Sequence, residues 1–227
     1  MVFDVQVIAR ALPYLAKGLA YSLELTAMAG AGGLALGTLL ALLRLNSSRL
    51  LGRCVRLYVD LVRSVPLILV LFWFYFLAPV MLQALLQAPR PVTVSADVSA
   101  LCTFVMFEAA YFSEIIRSGI QSVGAMQLNA ARALGLSAAQ AFRHVVLPQA
   151  LRAVLPLILT QLIVLFQDTS LVYVLSLNDF VGAASKVAQR DSRLVEMYTF
   201  VALVFLVICS VLSVGVRTLR VNLLPAR

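Results

Sequence analysis

Residues 125–148 read AMQLNAARALGLSAAQAFRHVVLP, a polar and basic stretch between segments that are too apolar to be stable in water. In its first half, Leu128, Ala131 and Leu134 follow helical spacing and share one face. Gly135 comes next, and glycine most readily adopts the left-handed conformation with which many helices end. The pattern therefore predicts a short helix that ends at Gly135.

The second half of this stretch predicts another short helix. Ser137 and Gln140 have the serine-x-x-glutamine spacing of a capping box, and apolar residues then recur at i, i+3 and i+4. These residues are Phe142, Val145 and Val146. We expect Pro148 to end this helix or to bend the chain tightly. Two short helices without a core of their own suit docking into a groove of a partner protein; a solvated linker is the alternative.

The composition indicates an integral membrane protein. The 227 residues are 62% hydrophobic and 12% charged, whereas soluble domains are about one quarter charged. The net charge of +8 is spread over several short loops and forms no basic stripe beside stacking aromatics, which argues against nucleic acid as a partner. Three scattered cysteines and a single histidine indicate neither a disulfide framework nor a metal site.

Five apolar runs are long enough to cross a bilayer. They cover about residues 19–43, 57–86, 98–116, 150–166 and 197–216. We therefore predict an all-α integral membrane fold, with residues 1–227 forming a single transmembrane domain. Pro66 and Pro79 should bend or interrupt the second run. In the first run, small residues recur every fourth position and would let another helix approach closely. They are Ala29, Gly33, Gly37 and Ala41.

The distribution of basic residues predicts the orientation. With five spans, twelve arginines fall on one side, and six arginines and lysines fall on the other. The positive-inside rule then places the N-terminus outside, the C-terminus in the cytoplasm and residues 125–148 in the cytoplasm. Residues 168–193 become an extracytoplasmic loop, in which Asp179 would cap a helix lying in the membrane interface. Its apolar face would comprise Phe180, Val181, Ala184, Val187 and Ala188.

Ionisable side chains inside the spans are candidates for function, because they are costly in lipid. The candidates are Asp60, Arg63, Glu108, Glu114, Arg117 and Asp168, accompanied by Gln161 and Gln167. Asp60 with Arg63, and Glu114 with Arg117, could each pair along one helix face. Glu108 has no such partner, and its spacing to Tyr111 and Phe112 would allow an acid and an aromatic ring to grip an ammonium group.

The polar sequence at 167–170 interrupts the apolar runs and allows two interpretations. Irregular backbone at membrane depth occurs where it is buried in protein or lines a wet cavity, and transporters bind the charged ends of substrates at such sites. Alternatively, this is a turn at the outer surface, with Asp168 or Thr169 capping the next helix.

The chain carries no nucleotide-hydrolysis motif. Its two lysines, Lys17 and Lys186, do not follow glycine, so a G-K-[ST] phosphate loop cannot form. His144 is the single histidine and lies beside Arg143, without a plausible nucleophile partner. We therefore predict a protein that is not an enzyme.

Residues 125–148 resemble the EAA loop of ABC importer permeases, whose pattern is Glu-Ala-Ala, three residues, Gly, nine residues and Ile-x-Leu-Pro. Here the stretch has Asn129-Ala130-Ala131, Gly135 and then Val145 to Pro148 at the same spacing. Asn129 replaces the acid, so an ion pair made by that acid is not expected here.

Three further motifs extend the resemblance to permeases for polar amino acids. RSVPL at 63–67, EAAY at 108–111 with EIIRSGIQ at 114–121, and QDTSL at 167–171 are similar to elements of that family. FEAAY, FQDTSLVYVLS and FWFY together resemble the glutamate/aspartate branch.

The resemblance implies a permease of ABC type I importer fold in a bacterial inner membrane. It would bind no cofactor and would work with four kinds of partner: lipid, a second permease subunit that is the same chain or a homologue, a cytoplasmic ATPase dimer that binds the ATP, and an extracytoplasmic solute-binding protein. The residues it implies for ATPase coupling are Asn129, Ala130, Ala131, Gly135, Phe142, Leu147 and Pro148. Those it implies for substrate binding are Glu108, Tyr111, Gln161, Gln167, Asp168 and Arg117.

An acidic substrate requires positive charge near the site. Glu108 and Asp168 would grip the α-ammonium or pair with Arg117 or Arg63, leaving cations and helix N-termini for the carboxylates. The alternative function is an ion-coupled secondary transporter or channel that acts without an ATPase. That class favours internal repeats or a ring of pore charges, and the sequence shows no clear repeat.

Overall fold

A computed structural model describes residues 4–46, 49–90 and 92–223. The described chain forms ten α-helices, α1 to α10, joined in places by tighter or wider helical turns. They are α1 Val5–Asn46, α2 Arg49–Ser64, α3 Leu67–Phe72, α4 Ala78–Leu86, α5 Ala96–Ser122, α6 Ala125–Ala133, α7 Ala138–Ala141, α8 Leu147–Asp168, α9 Phe180–Arg190 and α10 Leu194–Leu223. The π-helical turns Trp73–Leu77 and Phe142–Val146 and the 3₁₀ helix Thr169–Leu175 complete the helical segments.

Five helical segments of the described chain are long and apolar enough to cross a membrane. They are Val5–Leu45, Leu67–Leu86, Ala96–Ser122, Ala138–Leu175 and Leu194–Leu223. The predicted all-α fold with five membrane helices is therefore confirmed. Four of the segments are longer than their predicted apolar runs, because helical backbone continues past the last apolar residue of each run.

Helix α1 packs closely along α5 through the predicted ridge of small residues. A Cβ atom at Gly33 would lie 2.6 Å from the Cβ of Glu108, and one at Gly37 would lie 2.8 Å from the carbonyl oxygen of Ala109. Ala29 and Ala41 on the same ridge are fully buried. Close helix approach thus depends on the missing side chains at Gly33 and Gly37.

The second span is shorter than predicted. A separate helix, α2, ends at Ser64, and the span begins at Leu67. Pro66 has no N–H and disfavours helical backbone at the residue before it, so the helix breaks there. Pro79 causes no interruption, because it lies in the first turn of α4, directly after the π-helical turn Trp73–Leu77, which shifts the hydrogen-bond register so that the missing N–H does not stop the helix. Residues 57–64 therefore belong to α2, and the second span covers Leu67–Leu86.

Helix α9 begins as predicted but faces a different environment. The Asp179 side chain accepts hydrogen bonds from the N–H groups of Val181 and Gly182, at 2.9 and 3.1 Å, which confirms the cap. Burial raises the pKa of this carboxyl to about 6, and the two backbone donors act in the opposite direction. The expectation that its apolar face lies in the membrane interface is wrong, because Phe180, Ala184 and Val187 are buried in a cluster with residues of α1 and α10.

Candidate translocation site and coupling segment

Glu108 lies at the centre of the site predicted from the sequence. It is on α5, its side chain is fully buried, and Gln161 of α8 donates a hydrogen bond from Nε2 to its Oε1 at 3.2 Å. Its second oxygen, Oε2, has no hydrogen-bond partner among the described residues. The carboxyl therefore has an unsatisfied acceptor buried between α5 and α8, which a polar ligand group could reach only if the two helices moved apart.

Tyr111 is one turn of α5 beyond Glu108, and Arg63 of α2 already covers its ring. The guanidinium carbon of Arg63 lies 5.1 Å from the ring centroid, within the range of a cation–π contact. Phe107 packs against Tyr111 with ring centroids 5.2 Å apart. Phe112, the other aromatic residue proposed to contact an ammonium group, is fully buried and cannot do so. The Tyr111 ring, which was expected to contact an ammonium group, is thus already in contact with Arg63.

Arg117 lies apart from Glu108 and belongs to an ion-pair cluster. Glu114 accepts from Arg117 on its own helix and from Arg44 of α1, the latter at 2.7 Å. Arg117 also donates to Gln121. The Glu114–Arg117 pairing predicted from their spacing is confirmed. Nine residues separate Glu108 from Arg117, about 14 Å along the helix.

The other predicted ion pairs do not form in the described part of the chain. Arg63 contacts Tyr111, and no ion pair joins it to Asp60 there. Neither Arg63 nor Arg117 pairs with Glu108 or Asp168 within the described residues, because each guanidinium is engaged elsewhere. The Arg63 guanidinium therefore lies near the site without donating a hydrogen bond to Glu108 or Asp168.

The polar sequence at 167–170 is neither of the two predicted forms. Helix α8 runs to Asp168 and tightens at once into the 3₁₀ helix Thr169–Leu175, and Asp168 makes no side-chain cap. The hydroxyl of Thr169 is buried and donates to the carbonyl of Phe166 at 2.7 Å. Gln167 is exposed and Asp168 is half-buried. A seven-residue 3₁₀ helix is unusually long.

Residues 125–148 form the predicted helix pair. Gly135 has φ of +86°; its N–H bonds to the carbonyl of Arg132, and the N–H of Leu136 bonds to that of Ala131. These two bonds are the Schellman ending of a helix. Ser137 and Gln140 make both hydrogen bonds of the capping box. The helix end at Gly135 and the capping box at Ser137 are thus confirmed.

Pro148 behaves differently from the prediction. Helical backbone continues from Ala138 through the π-helical turn Phe142–Val146 into α8, and Pro148 lies in the first turn of α8. The π turn shifts the hydrogen-bond register just before Pro148, so the missing N–H at Pro148 does not stop the helix. The second short helix is therefore continuous with a membrane span.

The helix pair presents apolar side chains to its surroundings. Met126 and Leu134 are 79% and 83% exposed, and Phe142 is 38% exposed. Asn129, Ala130 and Gly135 are exposed as well, Leu147 and Pro148 are half-buried, and Ala131 is buried against the turn. Helices with exposed apolar side chains and almost no core of their own are typical of a docking element.

Sequence reasoning missed the contacts between distant helices. Arg44 counted only toward topology, yet it joins α1 to Glu114 of α5. Arg63 was assigned to Asp60, yet it lies over Tyr111. Spacing along one helix cannot reveal partners on another helix, and only the unpaired state of Glu108 could have pointed to a remote donor such as Gln161.

Five membrane helices, a buried polar site between α5 and α8 and a protruding helix pair define a transport protein of the permease class. The family model described as "binding-protein-dependent transport system inner membrane component" matches residues 33–220. The chain belongs to this family and is therefore a multi-span inner-membrane permease.

Individual relatives support the assignment. The glutamate/aspartate import permease protein GltK of Escherichia coli O6:H1 is 47% identical over 218 residues, which cover 96% of this chain and 97% of the relative. The probable amino-acid ABC transporter permease protein YckA of Bacillus subtilis is 32% identical over 94% of this chain and 90% of its own length. A crystal structure of an amino acid ABC transporter with histidines superposes with a TM-score of 0.88 at 27% identity, covering 98% of this chain and all of that one.

Proposed function

We propose that this chain is the membrane subunit of an ATP-driven importer for polar amino acids, with glutamate and aspartate as substrates. One structural observation supports the proposal: the helix pair at 125–148 exposes apolar side chains, and its second helix continues into α8, which holds Gln161 against Glu108. A movement of the docked pair would therefore reach the polar site through one continuous helical segment.

The proposed assembly contains partners on both sides of the membrane. A cytoplasmic ATPase dimer binds ATP and receives the 125–148 helix pair in a groove, and an extracytoplasmic solute-binding protein delivers the substrate. A second permease subunit, the same chain or a homologue, completes the pathway. The N-terminus lies outside and the C-terminus in the cytoplasm, as the distribution of arginines favours.

The proposed substrate site comprises the polar residues between α5 and α8 with the arginine next to them. Its members are Glu108, Tyr111, Gln161, Gln167 and Asp168, and Arg63 takes the role first assigned to Arg117. The carboxylates of Glu108 and Asp168 suit an α-ammonium group, and Arg63 supplies the cation for a substrate carboxylate. The name of the 47% identical relative supports the acidic substrates.

The test is uptake of labelled glutamate, aspartate, glutamine and arginine into proteoliposomes. The vesicles contain this chain, its permease and ATPase partners and the solute-binding protein, with ATP inside. We expect ATP-dependent uptake that favours the two acidic amino acids. Uptake that does not depend on ATP would overturn the proposal in favour of an ion-coupled transporter.

Two glycine variants test the coupling role. A Cβ at either Gly124 or Gly135 meets no atom within 4 Å, but only Gly135 has a positive φ. Gly135→Trp should abolish uptake and stimulation of the ATPase by loaded binding protein, because it disrupts the turn and the docking surface. Gly124→Ala should leave both within about twofold of wild type. Uptake that survives Gly135→Trp would contradict coupling through this segment.

A further inference from the structure

Helix α2 presents three different faces. Val55 and Val59 are buried against α1 and α5. On a second face, exposed apolar residues are spaced 4, 3 and 4 along the helix; they are Leu50, Cys54, Leu57 and Leu61. On a third face, exposed polar residues are spaced 4, 3, 4 and 3; they are Arg49, Arg53, Arg56, Asp60 and Arg63. Such spacing places each set on one side of the helix.

Contacts with α5 show how deep this third face lies. The Tyr58 hydroxyl donates to the carbonyl of Met106 at 2.6 Å, and Arg63 covers Tyr111. Met106 and Tyr111 flank the middle of the membrane-spanning helix Ala96–Ser122. The C-terminal end of α2, which carries Arg63, therefore lies beside the centre of a span, where lipid-facing charged groups are costly.

The N-terminal end of α2 lies near the C-terminal part of α5. A Cβ at Gly52 would lie 3.7 Å from the carbonyl oxygen of Arg44, and Arg44 pairs with Glu114. The polar face thus runs about 21 Å, from Arg63 at the level of the candidate site to Arg49 at the end of the bundle that carries the 125–148 helix pair. Because the part of this polar face around Arg63 cannot face lipid, the face must line a water-filled path or meet another polar surface.

The charges on this face match an acidic amino acid. Four guanidinium groups and one carboxylate, that of Asp60, give the stripe a net charge of +3. Guanidinium groups bind carboxylates in bidentate fashion, and Asp60 offers an acceptor to the α-ammonium. A cleft lined by charge of one sign raises the local concentration of the oppositely charged solute.

We propose that the polar face of α2, from Arg63 down to Arg49, lines the cytoplasmic half of the translocation path and conducts acidic amino acids away from the site. Arg53 and Arg56 are its central cations. The proposal rests on the proposed function and adds a selectivity element outside the site between α5 and α8.

The experiment compares glutamate uptake by three double variants in proteoliposomes loaded with ATP and the full assembly. Arg53→Gln with Arg56→Gln should lower the initial rate roughly tenfold, while Arg53→Lys with Arg56→Lys should retain most of it. Arg217→Gln with Arg220→Gln is the control, since it removes the same charge from exposed positions at the end of α10 and should transport like wild type.

Salt inside the vesicles gives a readout that a purely structural role would not change. Raising it from about 20 mM to about 300 mM shortens the screening length several-fold, so wild-type uptake should fall. Uptake by the glutamine double variant should be low at both concentrations. The control variant should follow wild type. Equal salt dependence in wild type, the glutamine double variant and the control variant would overturn the proposal.

Two further outcomes would also overturn it. A defect that disappears in vesicles of phosphatidylcholine alone would show that the arginines bind anionic lipid headgroups. A glutamine double variant that no longer assembles with its partners would show that the face is a subunit interface. If wild type itself shows no ATP-driven uptake of acidic amino acids, the proposed function fails. If wild type shows that uptake and the glutamine double variant transports equally well, this inference alone fails.

Discussion

At the residue scale, the Glu108–Gln161 contact lends itself to a double-mutant test. Gln161→Leu leaves the buried Glu108 carboxyl without the hydrogen bond that Gln161 donates, and an orphaned buried polar group costs about 1–3 kcal/mol. We expect a lower Tm for this variant in detergent. Combining Glu108→Leu with Gln161→Leu should recover most of the lost stability, because both polar partners are then gone.

Transport should not recover with stability in that double variant. If Glu108 and Gln161 contact substrate, apolar replacements remove the ligand contacts whatever the Tm. A double variant that imports glutamate at the wild-type rate would exclude these residues from the site. The site could be predicted from the sequence only in part: an acid such as Glu108 is conspicuous in an apolar run, but Gln161 lies 53 residues away and no periodicity links the two.

At the element scale, the packing of α1 on α5 depends on glycine at position 37. A Cβ there would lie 2.8 Å from the carbonyl oxygen of Ala109 and 2.8 Å from the Cβ of Phe112, which is a core residue. Gly37→Ala should therefore force the helices apart and destabilise the protein by about 1–3 kcal/mol. Gly215→Ala on α10 is the control, because a Cβ there meets nothing within 4 Å. Equal Tm values for the two purified variants would refute the close-packing interpretation.

Elements were predictable where their causes are local. The Asp179 cap, the capping box at Ser137 and the left-handed Gly135 involve groups within five residues of one another, so spacing alone reveals them. The apolar face of α9 was assigned to the membrane interface because the sequence does not show that α1 and α10 cover it. Pro148 was read as a stop because a π turn, which resets the hydrogen-bond register, has no sequence signal of comparable strength.

At the scale of the whole molecule, composition alone determined the class of protein. A chain this apolar can satisfy its backbone in lipid only by forming helices or a closed barrel, and the helical choice follows from runs longer than a membrane strand requires. The number of spans then places the two ends on opposite sides. Orientation depends on a weaker signal, the excess of arginine on one side, and therefore calls for direct measurement.

Cysteine labelling in spheroplasts measures that orientation. In a background with Cys54, Cys102 and Cys209 replaced by alanine, Arg190→Cys places a thiol at the exposed last residue of α9, and Leu134→Cys places one on the 125–148 helix pair. A membrane-impermeant maleimide should label Arg190→Cys in intact spheroplasts and Leu134→Cys only after permeabilisation, because the side richer in arginine faces the cytoplasm. The cysteine-free protein is the control for background. The reverse pattern would invert the topology, place 125–148 outside and remove the cytoplasmic ATPase as its partner.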